Sequence, residues 1–139
     1  MGADVVDPYA DPTVIERLLR DAAVWAVVGL NDNASRPAHR VARILQKHGK
    51  RIIPVHPSAV TVHGEPGFAS LSAIGRPVDV VDCFVSSERV GAVVEEAIAI
   101  GAQAVWLQLG VIDDAAAARA LAAGWYVVMN RCPAIVLER

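Results

Sequence analysis

The apolar positions of this chain fall into two kinds of run. Short, near-continuous ones occupy residues 24–30, 51–55, 78–85, 103–107 and 125–129. Runs of this length with no polar alternation predict strands buried on both faces. Between them the period lengthens. Val14, Ile15, Leu18, Leu19 and Ala22 recur at helical spacing, with Glu16, Arg17 and Arg20 opposite. Asp11-Pro12 supplies a cap and a first helical residue, and the helix is expected to end near Asp21. A second helix is predicted over 36–48. Val41, Ile44, Leu45 and His48 form its inner face, His39, Arg40, Arg43, Gln46 and Lys47 its outer one, and Gly49 closes it. A third, over 88–100, turns Val90, Val93, Val94, Ala97 and Ile98 inward and Glu95 and Glu96 to solvent. A fourth runs from Asp113 or Asp114 to Ala123 and stops at Gly124. Residues 1–10 read as a loose lead-in and 130–139 as a tail.

Residues 56–77 interrupt this order with Gly64, Pro66, Gly67, Gly75 and Pro77. A short strand at Thr61-Val62 and one helical turn near 70–74 are expected there. A loop this long inside a compact domain is usually functional.

Strands alternating with helices imply crossover connections and a parallel sheet. The expected architecture is α/β: a Rossmann-like three-layer fold whose mostly parallel five-stranded sheet, in the order 2-1-3-4-5, carries helices on both faces. Its 139 residues suit one domain. In such sheets ligands bind outside the carboxyl ends of the strands, where the strand order reverses. That point lies between the first strand and the strand at 78–85. The segments expected at this edge are Gly29–Arg36, His56–Ser58, Phe84–Ser87, Gln108–Val111 and Asn130–Pro133. Gly29 admits a ligand close to the backbone. The amides of 30–36 and the helix start offer donors, and Arg36 and Arg40 add charge, so the edge suits an anion.

Composition narrows the classes. A chain that is 54% hydrophobic but only 5% aromatic can bury a full, aliphatic core. A net charge of −2 argues against a general nucleic-acid surface. No apolar run approaches the roughly 18 residues of a membrane span. The N-terminal stretch, with Asp4, Asp7 and Asp11, is not a signal peptide. The expectation is a soluble cytoplasmic protein with no membrane or nucleic-acid partner; a homo-oligomer is compatible with the sequence. Cys83 and Cys132 fit no metal spacing and are expected to be reduced thiols, with a disulfide left open. Asp82 lies in an apolar strand. Burying an unpaired charge is costly, so it is expected near the surface or bonded to a loop amide.

The nucleotide is narrowed by exclusion. A dinucleotide site would show G-x-G-x-x-G after the first strand and an acid at the end of the second. This chain has Gly29-Leu30-Asn31-Asp32-Asn33-Ala34 and then His56-Pro57. A Walker-type loop is also absent. Another phosphate-bearing nucleotide is therefore expected.

Several motifs together resemble the CoA-binding domain family, small stand-alone proteins similar to the N-terminal domain of the succinyl-CoA synthetase alpha subunit. They are Val27-Val28-Gly29-Leu30, Arg36-Pro37 with Arg40-Val41-Ala42, and Ile52-Ile53-Pro54-Val55-His56-Pro57. They continue through His63-Gly64-Glu65, Val80-Val81-Asp82-Cys83-Phe84, Ala104-Val105-Trp106-Leu107-Gln108-Leu109-Gly110 and Val128-Met129-Asn130-Arg131-Cys132-Pro133. The resemblance implies coenzyme A over the carboxyl edge. Gly29, Leu30, Asn31, Arg36, His39 and Arg40 would hold phosphates. His56 and Pro57 would flank the adenine and ribose, Phe84 would line the middle, and Gln108 the pantetheine path. The chain departs from the family at Asn31 and Ala38-His39, where hydroxyl residues are usual, at His56, where asparagine is usual, and at Val85-Ser86-Ser87, where an arginine is often found.

The implied function is a non-catalytic module that binds coenzyme A or an acyl-CoA. The synthetase's phosphorylated histidine belongs to a second domain with no counterpart in these residues. None of His39, His48, His56 or His63 takes that role, and enzyme activity stays open with the balance against it. His48 is expected in the core or the last helical turn, His63 exposed, and Cys132 a structural thiol. Two other readings stand beside this one. An NAD(P)-type Rossmann enzyme is weakened by the missing glycines and acid. An interaction subunit that has lost ligand binding is motivated by Val85-Ser86 and Ala38.

Overall fold

The computed structural model describes residues 7–139. Five strands, β1 (Val24–Val28), β2 (Arg51–Val55), β3 (Val80–Cys83), β4 (Ala104–Leu107) and β5 (Tyr126–Met129), form one parallel sheet in the order β2-β1-β3-β4-β5. The expected α/β architecture and strand order are both present. Helices α1 (Pro12–Asp21), α2 (Pro37–Lys47), α3 (Ser87–Ala99) and α4 (Asp114–Ala122) fall where periodicity placed them. Alternate strand residues point to opposite faces. Ala26, Val28, Val81, Cys83, Val105 and Leu107 pack under Val90 and Val94 of α3 and Ala116 and Ala120 of α4. Trp25, Val27, Ile52, Val80, Trp106 and Val128 pack under Leu18 of α1 and Val41, Ala42 and Leu45 of α2. Two covered faces explain why the strands lack polar alternation.

Three local expectations change. Residues 130–139 are not an irregular tail: a fifth helix, α5 (Pro133–Leu137), begins at a proline in its first turn and packs on α2. Val62 does not belong to a strand. It exchanges two backbone hydrogen bonds with Glu65 across His63 and Gly64, both at positive φ. Such a pair of central residues makes a tight hairpin turn. His48 caps the C-terminus of α2 and is exposed, so it belongs to the last turn and not to the inner face.

The irregular segment has a structural task. Phe68 N donates to the Pro54 carbonyl and His56 N to the Phe68 carbonyl, which covers the outer edge of β2. Pro54 has no amide to offer there, and a proline in a sheet is confined to such an edge. Near the N-terminus, the Tyr9 carbonyl accepts from Met129 N of β5.

Candidate functional site

The strand order reverses between β1 and β3, and a cavity of about 490 Å³ opens beyond their carboxyl ends. Gly29 forms its floor. That glycine has φ +98°, and a Cβ there would meet the Phe84 carbonyl oxygen at 2.3 Å. What demands the missing side chain is thus the protein's own backbone, because the segments after β1 and β3 touch at the switch point. Arg36, the N-cap residue of α2, and Arg40, in its first turn, supply positive charge to the cavity. Arg40 lies 3.8 Å from Glu138, an exposed pair that leaves it open to solvent.

The loop after β1 satisfies itself more than expected. The Asn31 side-chain oxygen accepts from Asn33 N, that of Asn33 accepts from Ser35 N and Ser35 Oγ, and Arg36 N donates to the Asn33 carbonyl. Several amides assigned to an anion are therefore spent inside the loop, which leaves the arginines as the main source of positive potential.

The opposite wall is tied together. Ser87 Oγ accepts from Ile112 N at 2.9 Å, linking the segment after β3 to that after β4. The Asn130 side-chain oxygen accepts from Gly110 N at 2.8 Å, linking the latter to the segment after β5. Trp106 Nε1 donates to the Arg131 carbonyl at 2.9 Å. These bonds hold Gln108, Leu109 and Cys132 in place along the cavity. Gln108 is only 7% exposed, yet its side-chain oxygen has no protein partner. A buried amide oxygen left without a donor costs about 1–3 kcal/mol.

Of the ten residues named from sequence, Gly29, Arg36, Arg40, Phe84 and Gln108 line this cavity. The others do not. Leu30 is a core side chain under α2. Asn31 caps its own loop. His39 faces away, its ring centroid 4.2 Å from that of His63, and its carbonyl pairs with His63 Nε2 at 2.7 Å. His63 is accordingly half-buried rather than exposed. His56 Nδ1 pairs with Ser58 Oγ at 2.8 Å beyond β2, and Pro57 beside it is exposed. Ile135 was missed, since it lies on the helix that sequence reading took for a tail; Pro133 before it was the available signal.

Asp82 corrects a further expectation. It is fully buried in β3, aligned with Val27 of β1 and Trp106 of β4, and neither carboxylate oxygen has a partner. Burial pushes its carboxyl well above the usual range. The residue escapes the penalty on a buried charge by holding its proton. Burial likewise pushes the Cys83 thiol up. Both cysteines are free thiols. Among the described residues no group of three or more His, Cys, Asp or Glu is placed to hold a metal ion, and no helix is long and apolar enough to cross a membrane.

Comparison with known proteins agrees with this architecture. The uncharacterized protein YneT of Bacillus subtilis (strain 168) is 34% identical over 118 residues, covering 85% of this chain and 87% of that protein. A hypothetical protein from Pyrococcus horikoshii OT3 superposes with a TM-score of 0.87 at 31% identity, covering 99% of this chain and 94% of that one. A Thermus thermophilus structure gives 0.86 at 31% identity, with 96% and 98% covered. The model of the CoA binding domain family matches residues 23–138, which takes in all five strands and every wall of the cavity, and the chain belongs to that family.

Proposed function

We propose that the cavity at the switch point binds coenzyme A, and that the protein acts as a binding module for it. The observation that carries this reading is the pairing, in one cavity, of two arginines with the side-chain amide of Gln108. Coenzyme A matches both features. Its phosphates meet Arg36 and Arg40, and its pantetheine arm lays its amides along the wall that Gln108 helps to form. Family membership supports the same ligand. Arg40, Arg36, Gly29, Phe84 and Gln108 are the contacts we assign. Leu30, Asn31, His39, His56 and Pro57 are left to structural tasks or to the outer rim. NAD(P) fits less well, because the segment after β2 offers His56 where a ribose-binding acid belongs. Two free thiols suit a reducing compartment, and we read the protein as cytoplasmic.

Calorimetric titration tests the assignment. Coenzyme A is expected to release or absorb heat with a one-to-one endpoint, while NAD and NADP do not. Replacing both Arg36 and Arg40 by Ala is expected to weaken binding at least tenfold, more at low salt than at high. No heat at millimolar coenzyme A would remove the proposal.

A further inference from the structure

We infer that the site is built for a coenzyme A thioester carrying an apolar acyl chain, and that Leu109 and Ile135 form the seat of that chain. The inference rests on the coenzyme A reading above and names the class of ligand within it. Four large hydrophobic side chains are exposed among the described residues: Leu109 at 58%, Ile112 at 45%, Leu121 at 46% and Ile135 at 56%. Three of them sit on the segment after β4 and on α5, two of the segments that wall the cavity. Leu109 and Ile135 line the cavity itself, with Phe84, Val85 and Val111 beside them. Scattered exposed leucines need no explanation, but a cluster at the mouth of a ligand cavity does.

The layout of the cavity decides what the cluster takes. Its charges are Arg36 and Arg40 at the start of α2, its side-chain amide is Gln108, and its apolar lining takes in Phe84, Val85, Leu109, Val111 and Ile135. A ligand that joins phosphates, amides and hydrocarbon in one molecule meets all three kinds of lining. A free thiol or a succinyl carboxylate gains nothing from Leu109 and Ile135. The positions are also held: Asn130 and Ser87 fix the segment that carries Leu109, and α5 packs on α2. A seat that is rigid before binding loses little entropy when filled.

Titration with coenzyme A and its acetyl, butanoyl, hexanoyl and octanoyl thioesters tests this. Each methylene that enters the seat is expected to tighten binding about fourfold, the factor equivalent to about 0.8 kcal/mol, until the seat is full. The octanoyl ester is therefore expected to bind at least tenfold more tightly than the acetyl ester. Leu109→Asn and Ile135→Asn should each cut that ratio, and the double substitution should bring it within twofold of one. Leu121→Asn, on α4 away from the cavity, should keep it. Because both seat residues are more than half exposed, these variants are expected to fold, which circular dichroism checks. Coenzyme A binding with no dependence on chain length overturns the inference and leaves the module intact. A flat series together with a two-protomer mass in sedimentation overturns it in favour of a second copy covering the patch. Failure of every ligand, free coenzyme A included, removes the underlying reading as well.

Discussion

Asp82 is the residue whose replacement should teach most about how this sheet is stabilised. Both of its oxygens are buried without a partner, between Val27 and Trp106 in the middle of three strands. Burial raises its pKa, so the folded protein keeps a proton that the unfolded chain releases. The sign follows. Below about pH 4 both states are protonated, and the residue adds no pH dependence. Above that, the unfolded state alone ionises, and folding stability falls by about 1.4 kcal/mol per pH unit until the folded-state pKa is reached. Asp82→Asn removes the proton but keeps an unpartnered polar group. Asp82→Val also removes the polar group, which is expected to add about 1–3 kcal/mol beyond the Asn variant. Urea denaturation followed by tryptophan fluorescence, at pH 4.5, 5.5 and 6.5, measures both effects, since Trp25 and Trp106 are buried beside the site. The stability difference between Asp82→Asn and the wild type should widen steadily with pH. A difference that stays flat, or a Val variant no more stable than Asn, would refute the assignment of a buried neutral acid.

Other expectations concern single positions. Gly29→Ala forces a Cβ to within 2.3 Å of the Phe84 carbonyl at φ +98°, and should destabilise the fold by about 2–5 kcal/mol in the same denaturation assay. Asp113→Ala removes the side chain that accepts from Ala116 N at the start of α4, and should lower stability by about 1 kcal/mol. Alkylation with iodoacetamide, followed by peptide mass mapping, should modify Cys132 in the native protein and Cys83 only after unfolding, because Cys132 lines the cavity while Cys83 is fully buried with a raised pKa. Coenzyme A should slow the reaction at Cys132.

The sheet was legible because its strands are covered on both sides. A residue that never meets water is apolar at every position, and Val24–Val28 or Ala104–Leu107 carry that signature plainly. Helices α1 to α4 were legible because each has a wet face that sets a period. Helix α5 has no polar residue to mark such a face: its five residues are Pro, Ala, Ile, Val and Leu, too short and too uniform to show a period. Missing it hid Ile135. The site was legible only to the level of segments. Topology brings the carboxyl ends together, but which residue of a segment faces the cavity depends on local geometry. Leu30 turns into the core and Asn31 back onto its loop, although both follow Gly29 directly. Arg36 and Arg40 share a face because they are a turn apart, while His39 meets His63 from a distant hairpin, a contact no local spacing encodes. Asp82 misled for a different reason. The rule that charges avoid the interior is sound, but a carboxylic acid can stop being a charge.

The position of α5 in the chain has a consequence for how the protein comes into being. The cavity floor is laid down at Gly29, and its last wall arrives at Ile135, after all five strands. At about 5–20 residues per second of synthesis, roughly 5–20 s separate the two. During that interval β2 to β5 are made one after another, and the chain has no enclosed place for a ligand. A chain released before Pro133 would carry the arginines and Gln108 on an open ledge. Capture of a ligand is thereby postponed until α5 has been made.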